Sequence, residues 1–142
     1  MGMALNLWNT LSIEHGKFEI INNGELSRDL PNDPTNLVVT GVEAAFREAG
    51  EKTPNLRYIC KNSIPHGRGL GSSSAAIVSG LIAGAALVGI SLTPNQLVKL
   101  AADIEGHPDN VAPAIYGGCT IGINDSGRWI IDPIRLPANL RM

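Results

Sequence analysis

Apolar and polar positions change places at nearly every residue near the amino terminus of this chain. "LWNTLSIE" (7–14) and "KFEIIN" (17–22) therefore read as strands, with His15-Gly16 as the turn between them. The polar, proline-bearing "ELSRDLPNDPTN" (25–36) predicts a surface loop. From Asn36 to Ala49 the period lengthens. Leu37, Val38, Gly41, Val42, Ala45 and Phe46 fall on one face of a predicted helix, and Gly50 stops it. "NLRYICKNSIP" (55–65) returns to the alternation of a strand and ends at Pro65.

Further on, "SSAAIVSGLIAGAALVG" (73–89) is apolar or small almost throughout, the pattern of a helix buried nearly all round. "TPNQLVKLAADIEG" (93–106) carries Thr93 as a cap, Pro94 in the first turn and Gly106 as a stop. "PDNVAPAIYGG" (108–118) predicts a short helical or irregular piece. "CTIGIND" (119–125) and "RWIIDPIRL" (128–136) alternate like a hairpin joined around Asp125-Ser126-Gly127. Strands grouped at both ends around central helices make an α+β pattern within one domain, residues 1–142.

Composition narrows the function classes. The 142 residues are 44% hydrophobic and 17% charged, which suits a folded globular chain. A net charge of −2 gives no basis for a nucleic-acid partner. Cys60 and Cys119 lie far apart among apolar or β-branched neighbours and read as reduced core residues. No signal peptide opens the chain. The uncharged run Ala75–Leu92 contains a GxxxG pair, Gly80 and Gly84, but also Ser79, Gly89 and Ser91. A small-faced helix packed tightly on a sheet accounts for it better than a membrane span.

The chemistry concentrates in "IPHGRGLGSSSAAIVSG" (64–80), a strand end, a glycine loop and a helix start in succession. Glycines let backbone N–H groups converge, and a helix amino terminus adds free donors and a positive dipole end. Ser72, Ser73 and Ser74 could cap the helix, bind phosphate oxygen or ligate magnesium. Between Glu51 and Asp103 no acidic residue occurs, while Lys52, Arg57, Lys61, Arg68 and Lys99 are basic. A plain glycine turn with serine caps remains the competing reading. Two phosphate loops are excluded: no lysine follows the glycines as GxxxxGK[ST] requires, and Gly67-Arg68-Gly69-Leu70-Gly71 lacks the GxGxxG spacing and its following acid.

"PHGRGLGSSSAA" resembles the central signature of the GHMP kinases, the superfamily of galactokinase, homoserine kinase, mevalonate kinase and phosphomevalonate kinase. "EGHPDNVAPAIYGG" (105–118) resembles the corresponding motif of the homoserine kinases, and "MGMALNLWN" the strand after the family's first motif. The resemblance implies the amino-terminal GHMP kinase domain, a ribosomal-protein-S5-domain-2-like α+β fold, truncated at both ends. The first motif is expected before Met1, and a second domain with a third glycine-rich motif and a substrate arginine after Met142.

The resemblance further implies transfer of the ATP γ-phosphate to the hydroxyl of L-homoserine, giving O-phospho-L-homoserine on the route to threonine. The isolated chain is expected to be inactive by itself. ATP would be bound by Pro65, Gly67, Arg68, Gly69, Leu70, Gly71, Ser72, Ser73 and Ser74. Magnesium would be held by Ser73 and Glu105. Asp103, two positions away, competes for that role, and Glu105 also reads as a solvated carboxylate at a helix end. His107, Asp109 and Asn110 would hold the amino acid. Asp109 reads equally as a cap and His107 as a turn residue, with no general base assigned. Trp8 and Trp129 read as core or edge packing, and His15 and His66 have no assigned partner. A cytoplasmic location follows from the resemblance, and a homodimer is among the partner expectations. A GHMP kinase for mevalonate or shikimate, and a non-catalytic nucleotide-binding or interaction fragment, are the alternatives.

Overall fold

The computed structural model describes residues 1–25, 27–126 and 128–135, with only the backbone of Arg128. In chain order the elements are β1 (Gly2–Met3), β2 (Thr10–His15), β3 (Glu19–Gly24), α1 (Leu37–Glu48), β4 (Leu56–Asn62), α2 (Ser72–Val88), α3 (Pro94–Glu105), α4 (Val111–Tyr116), β5 (Cys119–Asp125) and β6 (Arg128–Ile134). They form two three-stranded sheets, ordered β1-β5-β6 and β2-β4-β3.

The first two long strands do not pair with each other, although the turn at His15-Gly16 lies between them. β4 inserts between them, antiparallel to β2 and parallel to β3. Parallel neighbours need a crossover, and α1 supplies it between β3 and β4. This long-range pairing leaves no local trace, so strand alternation alone suggested adjacent partners.

Helix α1 begins where Asn36 accepts a hydrogen bond from the Val38 N–H at 3.0 Å. Its Val38, Val39, Val42 and Phe46 pack on Ile20, Leu56, Tyr58 and Cys60 of the second sheet. Its Ala44 and Ala45 join Ile77, Val78, Leu81 and Ala85 of α2 in a second core, closed by Ala101 and Val111 of the other helices. The small face of α2 therefore packs on α1, not on a sheet. The contact is close enough that a methyl group added at Gly41 would sit 2.5 Å from the Ile77 carbonyl oxygen. Added at Gly80, it would collide with the carbonyl of Val38. Among the described residues no helix is long and apolar enough to cross a membrane.

Helix α3 starts with a reciprocal cap between Thr93 and Gln96 and ends at Gly106, whose φ of 91° reverses the chain. Cys60 and Cys119 are free and buried. Trp8 departs from expectation. It lies outside the strands, is 74% exposed, and donates its indole N–H to Asn6 Oδ1 at 2.9 Å. Gly127 of the predicted hairpin turn and Leu136 at the end of the last predicted strand lie outside the described residues.

Candidate functional site

The glycine loop runs from the end of β4 to the first turn of α2. Gly67, Gly69 and Gly71 all have φ near +70°, a region that side-chain-bearing residues rarely occupy. Gly71 is the N-cap of α2, and no side chain caps the helix there. Among the described residues the first-turn N–H groups thus have no side-chain cap. Gly67 to Leu70 are exposed, whereas Ser72 and Ser73 are half-buried.

Ser73 donates its hydroxyl to Glu105 Oε1 at 2.5 Å. Glu105 is the last residue of α3, so the packing of two helices brings these oxygens together. Asp103, its neighbour by two, points elsewhere and pairs with Lys99 at 2.9 Å on the exposed side of the same helix. That pairing raises the Lys99 ammonium above its ordinary range. Ser74 is set apart from the other serines. It is fully buried, and its hydroxyl has no hydrogen-bond partner among the described residues.

The HPDN turn lies against the loop. Pro108 is fully buried and packs towards Gly122 of β5, while its carbonyl accepts from Ala112 at 2.8 Å. Anchored by this ring, the turn leaves His107 and Asp109 exposed. A methyl group added at Gly71 would lie 3.2 Å from Asn110 Cβ, so Asn110 stands directly beside the loop. The carboxylate of Asp109 has the Met1 ammonium at 3.8 Å, an exposed pair of little energetic weight.

Two cations of the acid-free stretch serve elsewhere. Arg57 bridges Glu19 at 2.7 Å and Glu14 at 3.4 Å on the second sheet, and Glu19 foremost lifts its pKa. Lys99 is held by Asp103. Arg68 is the basic side chain within the loop itself.

A feature that sequence reasoning missed adjoins Ser72 and Ser73. A cavity of about 260 Å³ lies between the start of α1, the end of β4 and the segment 29–36, which the polar composition marked as a plain surface loop. Asn22, Asn36, Asn62 and Cys60 line it. Asn22 uses its amide N–H₂ on Asn32 Oδ1 at 2.8 Å and the Pro31 carbonyl at 3.3 Å. Asn36 donates to the same carbonyl at 2.8 Å, so two asparagines tie the segment down. Asn22 Oδ1 and Asn62 Nδ2 are buried without a partner among the described residues. Buried polar atoms are normally paired, so the unpartnered acceptor and donor set these two lining residues apart. The available signal was the run of asparagines at the ends of β3 and β4.

Residues 36–118 match the family of GHMP kinases N terminal domain. A homoserine kinase from Moorella thermoacetica is 42% identical over 141 residues, covering 99% of this chain and 48% of that protein. One from Caldanaerobacter subterraneus is 45% identical over 130 residues, covering 90% of this chain and 42% of its own length. The crystal structure of a homoserine kinase from Cytophaga hutchinsonii superposes with a TM-score of 0.76 at 27% identity, over 92% of this chain and 44% of that one. A mevalonate kinase structure shares the fold at a TM-score of 0.68 and 18% identity. The chain spans about half the length of the curated relatives it matches. With the glycine loop, the HPDN turn and the helix packing all in that frame, the chain belongs to the GHMP kinases and carries their N-terminal domain.

Proposed function

We propose that this chain forms the nucleotide-binding half of a homoserine kinase, which transfers the ATP γ-phosphate to the hydroxyl of L-homoserine. The observation that carries the reading is the Ser73–Glu105 oxygen pair under a glycine loop at the amino terminus of α2. Backbone N–H groups of Gly67 to Ser74 would receive the phosphates, where the helix dipole favours negative charge. Ser74 would contribute only its backbone, because its hydroxyl is buried.

Ser73 and Glu105 offer the hard oxygens that magnesium prefers, and this ion rarely asks more than one or two carboxylates of a protein. The ion would neutralise charge on the phosphates during transfer. The nucleotide base would enter the neighbouring cavity, where Asn22 Oδ1 can accept and Asn62 Nδ2 can donate. Burial of those two groups without protein partners supports a ligand that pairs with them.

On the other side of the loop, Asn110 would hold the acceptor hydroxyl near the phosphate, since it already touches Gly71. Asp109 would take the substrate ammonium, a role consistent with the cation beside it. His107 would shape the substrate site. Phosphoryl transfer depends mainly on position and charge stabilisation, so no general base is assigned. The choice of L-homoserine over mevalonate rests on the relatives at 42% and 45% identity.

The test is a calorimetric titration of the 142-residue chain with Mg-ATP, with Ser73→Ala as control. Because the 142 residues are expected to transfer nothing by themselves, the transfer assay on L-homoserine and mevalonate uses a chain extended to the length of its relatives. Binding lost in Ser73→Ala is the expected result. A folded chain that takes up no Mg-ATP would remove the phosphate-site reading, and transfer to mevalonate in place of L-homoserine would change the substrate.

A further inference from the structure

Asn9 closes the "MGMALNLWN" stretch, in the segment between β1 and β2 and outside both the glycine loop and the HPDN turn. Its side-chain carbonyl accepts two hydrogen bonds, from the Ser63 N–H at 2.8 Å and from the Ile64 N–H at 3.1 Å. Those are the first two residues beyond β4. The ladder of β2 on β4 ends with Thr10 opposite Lys61, so the backbone of β2 can no longer serve them. Ile64 is buried, and an unpaired N–H there would be unfavourable. One amide oxygen thus replaces the ladder where the strand turns into the glycine loop.

The location gives this contact its weight. Pro65 follows at once, with a fixed φ and no N–H of its own. Farther along the chain, the next hydrogen bond involving a side chain among the described residues is Ser73 to Glu105. The loop is therefore held at two points, by Asn9 upstream and by Glu105 downstream. Asn9, Ile64 and Leu70 also line one cavity of about 400 Å³ together with Leu5 and Leu7, so the segment that carries Asn9 packs beside the loop itself.

We infer that Asn9 is a positioning residue of the phosphate site: its carbonyl sets the point from which the glycine loop departs. The inference rests on the reading of that loop as a phosphate site, but Asn9 itself touches no phosphate. A loop of three positive-φ glycines has many alternative courses, and fixing its origin reduces the entropy lost when phosphate binds.

The test compares Asn9→Ala and Asn9→Asp in the full 142-residue chain, by calorimetry with Mg-ATP and by amide hydrogen exchange. Aspartate keeps an acceptor at the same reach, whereas alanine removes it. Asn9→Ala is expected to bind about tenfold more weakly, with faster exchange at Ser63 and Ile64 and unchanged exchange at Tyr58 and Cys60 within β4. Asn9→Asp is expected to restore slow exchange at Ser63 and Ile64 and affinity to within about threefold, since only the acceptor matters. Equal affinity in wild type and Asn9→Ala overturns the inference and leaves the phosphate site standing. So does Asn9→Asp behaving like Asn9→Ala. A wild-type chain that binds no Mg-ATP overturns the phosphate-site reading and the inference with it.

Discussion

The Ser73 hydroxyl reaches the Glu105 carboxylate at 2.5 Å, although the two residues stand 32 positions apart. One belongs to the first turn of α2 and the other closes α3, so the contact exists only because these helices pack against each other. A hydroxyl and a carboxylate at a helix amino terminus form a small cluster of hard oxygens.

If that cluster holds magnesium, Ser73→Ala and Glu105→Gln should each weaken Mg-ATP binding by roughly tenfold or more, given that hydrogen bonds and contacts to charged groups contribute about 1.5–3 kcal/mol. Glu105→Gln should have little effect on ATP measured without magnesium. Calorimetry with and without the ion separates the two. An undiminished magnesium dependence in Glu105→Gln would exclude the carboxylate from the metal site.

The unpartnered Asn22 Oδ1 and Asn62 Nδ2 make a prediction about the base. Asn62→Ala should weaken ATP by about tenfold, the effect of one buried hydrogen bond plus its unpaired partner. Inorganic triphosphate, which has no base, should bind the variant within about twofold of wild type on the same grounds. Competition between the two ligands reads this directly. Equal losses for both would move the amide's role from base recognition to the loop.

Helix packing predicts a stability effect remote from the site. Gly80→Ala places a methyl group against the Val38 carbonyl, and Gly41→Ala places one 2.5 Å from the Ile77 carbonyl. Neither backbone can retreat without opening the α1–α2 core, so each substitution should destabilise by about 1–3 kcal/mol. Alanine's better helix propensity offsets only about 1 kcal/mol of this. Urea unfolding followed by circular dichroism is the measurement. A neutral or stabilising result would mean the helices sit farther apart.

Tyr58 should contribute to alkaline unfolding, alongside the Cys60 thiol, which burial also pushes up. Burial, aided by Glu43, pushes its phenol up to about 12, while its ring lies edge-on to Phe18 with centroids 6.0 Å apart. The folded state holds this proton more tightly than the unfolded chain, whose tyrosines titrate near about 10. The stability it contributes is therefore complete below about pH 10 and is lost as pH rises towards 12. Tyr58→Phe should flatten that decline. Unfolding midpoints across pH 9 to 12, paired with phenolate absorbance, test the assignment.

Much of this protein could be read from local pattern, because local pattern determines local structure. Thr93 and the glycines at 50 and 106 mark helix ends through backbone chemistry that acts within a few residues. The glycine loop and the HPDN turn were visible for the same reason. Contacts between distant segments left no such mark. The insertion of β4 between β2 and β3, the preference of Glu105 over Asp103 for Ser73, and the anchoring of the loop by Asn9 all join residues far apart in the chain. The cavity under segment 29–36 belongs with them: its polar residues looked like a solvated loop until asparagines on β3 and at the start of α1 were found holding it down. Spacing along the chain decides which elements form, but which side chains meet depends on how those elements pack, and burial is settled only there.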